Sequence, residues 1–182
     1  MLTKTTLVTG LVRLGLKADS AVQRIMDLGY RREEISMIMS EQTKKVHFAI
    51  DEGAQTAATA GAGVGMAVGS AVGAVLAAVA LVGTSFILPG VGLVVAGPLA
   101  AALVGVSAGG VTGGSVGLLL GAGIPEHRAH LYATGLAGGL LLIGVHSRSA
   151  ADTLAIEQIF HDLDAANVEV VITTPDSQSR AA

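Results

Sequence analysis

The chain has 182 residues, enough for one domain with an insertion and too few for two ordinary domains. Hydrophobic residues make up 51%, charged residues only 14%, and the formal net charge is −3. There is no Cys and no Trp, which excludes disulfides, thiolate metal sites and cysteine nucleophiles and leaves nucleic-acid binding with few stacking residues and no dense basic cluster.

Globular proteins average about 25% charged residues, so the deficit has a location. Residues 53–125 carry no charged side chain and hold 18 of the 25 glycines. The arm before them has eight Lys/Arg against seven Asp/Glu; the arm after them has three against seven. The opening Met1-Leu2-Thr3-Lys4 shows no charged region followed by a long apolar core, so no secretory signal peptide is expected.

The first arm reads as strand, helix, strand. Thr5–Val12 is β-branched and apolar. Ala18, Ala21, Val22, Ile25 and Leu28 recur at helical spacing, with Asp19 or Ser20 as cap and Gly29 at the C′ position. Glu34–Ser40 alternates like a strand with one well-buried face.

The uncharged stretch resolves into two segments, about Ala54–Val82 and about Pro98–Ala122. At 1.5 Å per residue they reach roughly 43 Å and 37 Å, and a bilayer core of roughly 30 Å needs about 20 residues. Each is expected to be a helix, the two joined as a hairpin whose turn is marked by Pro89, Gly90 and Pro98. Gly61, Gly65, Gly69 and Gly73 recur every four residues in the first segment; Gly105, Gly109, Gly113, Gly117 and Gly121 do so in the second. Residues four apart share a helix face, and a row of hydrogens there lets two backbones approach closely. In water each helical glycine costs roughly 1 kcal/mol relative to alanine; in lipid an unpaired backbone group costs several, so the helix is enforced. The stripes are therefore expected to pack the hairpin and to drive homo-oligomerisation. Lipid contact is the leading expectation, against a re-entrant hairpin or one buried in a large soluble or filamentous assembly. With Lys44, Lys45 and Arg128 flanking the segments, the positive-inside rule places both arms and both termini in the cytoplasm.

The second arm repeats the first. Pro125 and Glu126 open a short helix with Ala129, Tyr132, Ala133 and Leu136 on its apolar face, ended by Gly138-Gly139. Leu140–Val145 is a buried strand; Ala151, Leu154, Ala155, Ile159, Leu163 and Ala166 form a helical stripe capped by Ser149; Val168–Thr173 is a final strand. Two βαβ units make an α+β fold, a ferredoxin-like sandwich with both helices on one face of an antiparallel sheet, split by the long Gly/Ala-rich hairpin. The expected division is 1–52 and 125–175 for the two halves of the α/β domain, 53–124 for the hairpin and 176–182 for a disordered tail.

Chemistry-bearing residues are few. His127 and His130 beside Glu126 make at best half of a metal site, and read as a solvated helix face. His47, His146 and His161 are scattered, at the surface or domain edge. Glu33-Glu34 are adjacent rather than opposed across a cleft, unlike paired catalytic carboxylates. Gly61-x-Gly63-x-Gly65 follows no strand and is not a phosphate loop. No nucleophile, base and orienting group come together, so no enzyme, cofactor, metal or small-molecule substrate is expected.

Three stretches carry a resemblance: Leu28-Gly29-Tyr30 with Glu33-Glu34-Ile35-Ser36; Ile87-Leu88-Pro89-Gly90-Val91-Gly92 continuing through Ala96-Gly97-Pro98-Leu99-Ala100; and Gly123-Ile124-Pro125-Glu126 with Ala129, Tyr132 and Gly138-Gly139. On these the chain resembles the bacterial general-stress-protein family, a small stress-protein-type α/β domain with a glycine-rich hydrophobic insertion. The resemblance implies a stress-associated protein of the bacterial cell membrane and supplies no catalytic residues. The expectation is a non-enzymatic protein anchored in the lipid bilayer by its hairpin and self-associating through it, with the α/β domain oligomerising or binding partners. A ligand-sensing ferredoxin-like module and a hairpin-packed soluble or filamentous assembly protein are the alternatives.

Overall fold

The computed structural model describes residues 5–47, 86–88, 92–100, 114–121 and 124–173. In chain order the elements are β1 (Thr5–Arg13), α1 (Leu16–Asp27), a 3₁₀ turn (Arg32–Glu34), β2 (Ile35–Ser40), α2 (Glu41–His47), β3 (Phe86–Leu88), β4 (Leu93–Ala96), α3 (Gly114–Gly121), α4 (Glu126–Ala137), β5 (Leu140–Ser147), α5 (Ala150–Asp162) and β6 (Ala166–Thr173). The strands form one six-stranded antiparallel sheet in the order β3-β4-β2-β5-β1-β6. The fold is α+β with an antiparallel sheet, as the sequence indicated.

Alternation along each strand decides the two faces. On one face Val8, Val12, Met37, Met39, Leu141, Ile143 and Val145 pack with Ala18, Ala21, Val22 and Ile25 of α1 and Ile156, Ile159 and Phe160 of α5. On the other, Leu7, Leu11, Ile38, Val95 and Leu142 pack with Leu118 and Leu119 of α3 and Ala129, Tyr132 and Leu136 of α4. Both faces are dry, so the domain has three layers rather than two. This explains why Ile35–Met39 is buried at every position instead of on one side.

The uncharged insertion supplies part of the sheet itself. β4 pairs with β2 from Met37↔Ala96 to Ser40↔Leu93, and β3 pairs with β4. Residues expected at the tip of a projecting hairpin are therefore bound to the domain edge. The Glu41 N–H donates to the Gly92 carbonyl at 2.7 Å, fixing the start of α2 beside β4. Gly97 then takes φ +85°, and a Cβ there would lie 2.4 Å from the Ile35 carbonyl oxygen. The buried Ser36 hydroxyl accepts the Leu99 N–H at 3.1 Å, so the helical turn opened by Pro98 is tied to β2.

The membrane expectation is overturned. No helix among the described residues is long and apolar enough to cross a membrane. The topology gives the physical reason. Phe86–Leu88 and Leu93–Ala96, expected at the far end of the hairpin, lie in one sheet with β2; the expected segment Ala54–Val82 and residues 101–113 of the second lie outside the described residues. The bilayer anchor, the transmembrane helices and the membrane localisation with a cytoplasmic domain are withdrawn with it.

Smaller differences have local causes. α1 starts at Leu16, ahead of both expected caps; the Gly15 carbonyl accepts the Asp19 N–H at 3.1 Å. Leu28 is 42% exposed as the C-cap residue. In α5 only part of the expected stripe faces the core: Ile159 is buried and Leu163 packs beside it, whereas Ala151 and Leu154 are exposed, Ile156 and Phe160 complete the buried face, and Ala166 starts β6.

Gly97→Ala is expected to cost at least about 2 kcal/mol, from the collision with Ile35 added to left-handed strain. Gly92→Ala, with φ +67° but open space around it, should cost about 1 kcal/mol. Urea unfolding of both variants separates the two terms.

Candidate functional site

Two polar clusters stand out against this core. The first joins two loops, α1–β2 of the first βαβ unit and β5–α5 of the second. Tyr30 is buried at 3% exposure. Its hydroxyl donates to Asp152 Oδ2 at 2.8 Å and accepts the Arg148 N–H at 3.1 Å. The Arg148 guanidinium stacks on the Tyr30 ring, 4.2 Å from its centroid. From there it donates to both Glu34 oxygens, at 2.8 and 2.7 Å, and to the Gly29 carbonyl at 3.2 Å. Planar delocalised charge that can stack and fork at once is what arginine offers and lysine does not. Ser149 caps α5 by accepting the Asp152 N–H at 3.1 Å, which aims the Asp152 carboxylate at Tyr30.

The electrostatics follow from these contacts. The Arg148 hydrogen bonds hold the Glu34 carboxyl below the usual carboxylate range, helped by the Arg31 N–H. The Tyr30 hydroxyl and then the Ser149 cap hold Asp152 below its range. Burial pushes the Tyr30 phenol up.

The second cluster lies under α4. The hydroxyls of Thr9 and Tyr132, both fully buried, are 2.7 Å apart. Tyr132 also donates to the Asn167 carbonyl at 3.1 Å. Beside them Arg128 pairs with Glu169 of β6 at 2.6 Å. Burial raises the Tyr132 pKa, and among the described residues its hydroxyl bonds only the Thr9 hydroxyl and the Asn167 carbonyl. Neither cluster contains an activated nucleophile; each pins one layer to the sheet.

The remaining candidates disperse. His127 and His130 are exposed on α4, and His127 Nε2 accepts from the neighbouring Arg128 Nε at 3.2 Å. Among the described residues no group of three or more His, Asp or Glu is placed to hold a metal. Half-buried His146 sits opposite Leu7 at the end of β5, and burial pushes its pKa down. Gly117 and Gly121 are helical in α3, with Gly117 buried; Pro98 is exposed at the start of its helical turn. Gly61, Gly65, Gly69, Gly73, Gly105, Gly109, Gly113, Pro89 and Gly90 lie outside the described residues. Sequence reading missed the Tyr30–Arg148 cluster, although Tyr30 follows the Gly29 C′ position and Arg148 directly follows β5.

The described residues line open clefts. A cleft of about 430 Å³ is lined by Arg13, Leu14, Gly135, Gly138, Gly139 and Leu140. Another, about 330 Å³, lies between α1 and α5 at Arg24, Leu28 and Ile159. No family model, curated protein or solved structure matches the chain.

Tyr30→Phe leaves the Arg148 N–H and one Asp152 oxygen without their partner and should cost about 1–2 kcal/mol in urea unfolding. Glu34 and Asp152 have depressed folded pKa values, so their stabilisation is complete above the unfolded carboxylate range of about 4 and is lost as pH falls through the folded values. The Glu34→Gln, Asp152→Asn double variant should therefore show a shallower acid-induced fall in melting temperature than the parent, measured by circular dichroism from pH 7 to pH 2.

Proposed function

We propose that the chain is a non-catalytic, self-associating protein. Its α/β domain is a ferredoxin-like sandwich, and its uncharged insertion packs on protein, within one copy and between copies. The strand order β2-β5-β1-β6, each βαβ pair interleaved with a strand of the other, supports the ferredoxin-like assignment, as does the shared face of α1 and α5. The resemblance to general stress proteins adds a stress-associated role to this proposal.

One observation carries the reading: every described part of the insertion packs back on the domain. β3 and β4 extend the sheet edge, and Leu99, Leu118 and Leu119 are buried on its second face. Apolar residues that return to the sheet from three places in the insertion behave as core. A glycine-rich, uncharged sequence of this length then gains its remaining burial most directly from copies of itself.

The purified chain, in buffer without detergent, should sediment as a discrete homo-oligomer across a hundredfold concentration range. A monomer at every concentration would remove the proposal. The rival ligand-sensing reading has the Arg13 cleft as its foothold; a rise in melting temperature with a small carboxylate, abolished in Arg13→Ala, would favour it.

A further inference from the structure

The two edges of the sheet are unlike. β3 is three residues long, whereas β6 runs for eight, Ala166–Thr173, and no described residue pairs with its outer side. Long edge strands usually carry protection: an outward lysine, a proline, or a charge pointing across the edge. β6 has no lysine and no proline, and the bulge at Asn167 twists only its first end, leaving Val168–Thr173 regular. Its one charged residue, Glu169, is held under α4 by Arg128 at 2.6 Å. What it shows instead is apolar: Val168 and Val170 are half-buried, and Ile172 is 62% exposed. Leu131, one turn beyond Arg128 and on the same flank of α4, is 44% exposed.

The geometry points to a second copy of this chain as the occupant of the β6 edge, paired antiparallel about a two-fold axis through Val170. This rests on the self-association proposed above and names its surface. Residues opposite one another across an antiparallel pair point to the same face. A two-fold axis perpendicular to the sheet must therefore pass through a residue, and only a few are available. Through Glu169, two carboxylates would stand opposite, which is destabilising. Through Val168, the ladder would run into the bulge that interrupts β6 near Ala166, where Asn167 has φ 52°, and Ile172 would stay uncovered. Through Val171, Glu169 would face Thr173 and Val168 would lose its partner. Through Val170, the regular run pairs completely: Val170 with Val170, Val168 with Ile172, and Glu169 with Val171. Glu169 keeps Arg128, no like charges meet, and the most exposed apolar side chain of the strand is covered. The two sheets become one continuous sheet across the axis.

The absence of cysteine from the whole chain makes the register directly readable. Opposed residues in an antiparallel pair have Cα atoms about 4.5–5.5 Å apart, within the range of a disulfide. Full-length Val170→Cys under mild oxidation should give a disulfide-linked dimer in most of the protein. Val168→Cys and Ile172→Cys should each stay unlinked alone and form the mixed dimer when combined. Ile172→Lys, at an exposed position, should weaken dimerisation at least tenfold with an unchanged far-ultraviolet spectrum. Folded Val170→Cys that does not link, or Val168→Cys that links to itself, overturns the proposal. If linking appears only after deletion of residues 174–182, the chain's own tail occupies the edge and the proposal fails. If Val170→Cys fails to link while the parent still sediments as an oligomer, the surface is wrong and self-association stands; a monomeric parent removes both.

Discussion

The structure depends on burying both faces of its sheet. Leu141, Leu142, Ile143 and Val145 of β5 are all fully inaccessible, with alternate side chains on opposite faces. Such a strand is stable only between two apolar layers. α1 and α5 provide one. The other comes from α4 and from α3, Leu99 and Ala100 of the insertion. Within the first layer, exposed ion pairs join α1 to the end of α5, Lys17 with Asp164 and Arg24 with Asp162. Arg148 joins the loops at the opposite end.

This requirement changes how the uncharged stretch is understood. An apolar run without charge satisfies lipid and a two-sided sheet equally well, because both demand surfaces free of unpaired polar groups. Chain direction separates the two. A span must end on the opposite side from where it began, whereas a covering layer returns to its sheet, as Phe86–Leu88, Leu93–Ala96 and Gly114–Gly121 do. Gly97 shows how close that return is: its α-carbon sits where the Ile35 carbonyl leaves no room for a methyl group.

Much of the domain was legible because its periodic segments are local. The α1 stripe Ala18, Ala21, Val22 and Ile25 is the buried set, and Gly29, Ser149 and Gly138-Gly139 mark termini where they stand. The phase of α5 was only partly legible. Ile159 was expected to be buried, but Ala151, Leu154 and Ala155 compete with Ile156 and Phe160 for the rest of the apolar face, and what decides is a hole at Gly10, where an added Cβ would lie 3.0 Å from the Phe160 ring. That hole belongs to another strand, far along the chain. β3 and β4 were missed for a related reason: short apolar runs between glycines read as a turn until a partner strand is known. The Tyr30 cluster joins two loops and has no period at all.

The sheet order also bears on how the chain reaches this state. Both neighbours of β1 are β5 and β6, from the far end of the polypeptide. On a ribosome adding about 5–20 residues per second, the first strand waits about 6–27 seconds for the nearer of them. Meanwhile the entire uncharged insertion emerges with no finished sheet to cover it. Closing so large a loop adds little to the equilibrium cost, since that cost grows only logarithmically with length. The burden falls on kinetics: high contact order makes folding slow and leaves the nascent chain exposed to aggregation. This architecture therefore calls for a holding chaperone during synthesis more than for extra stability afterwards.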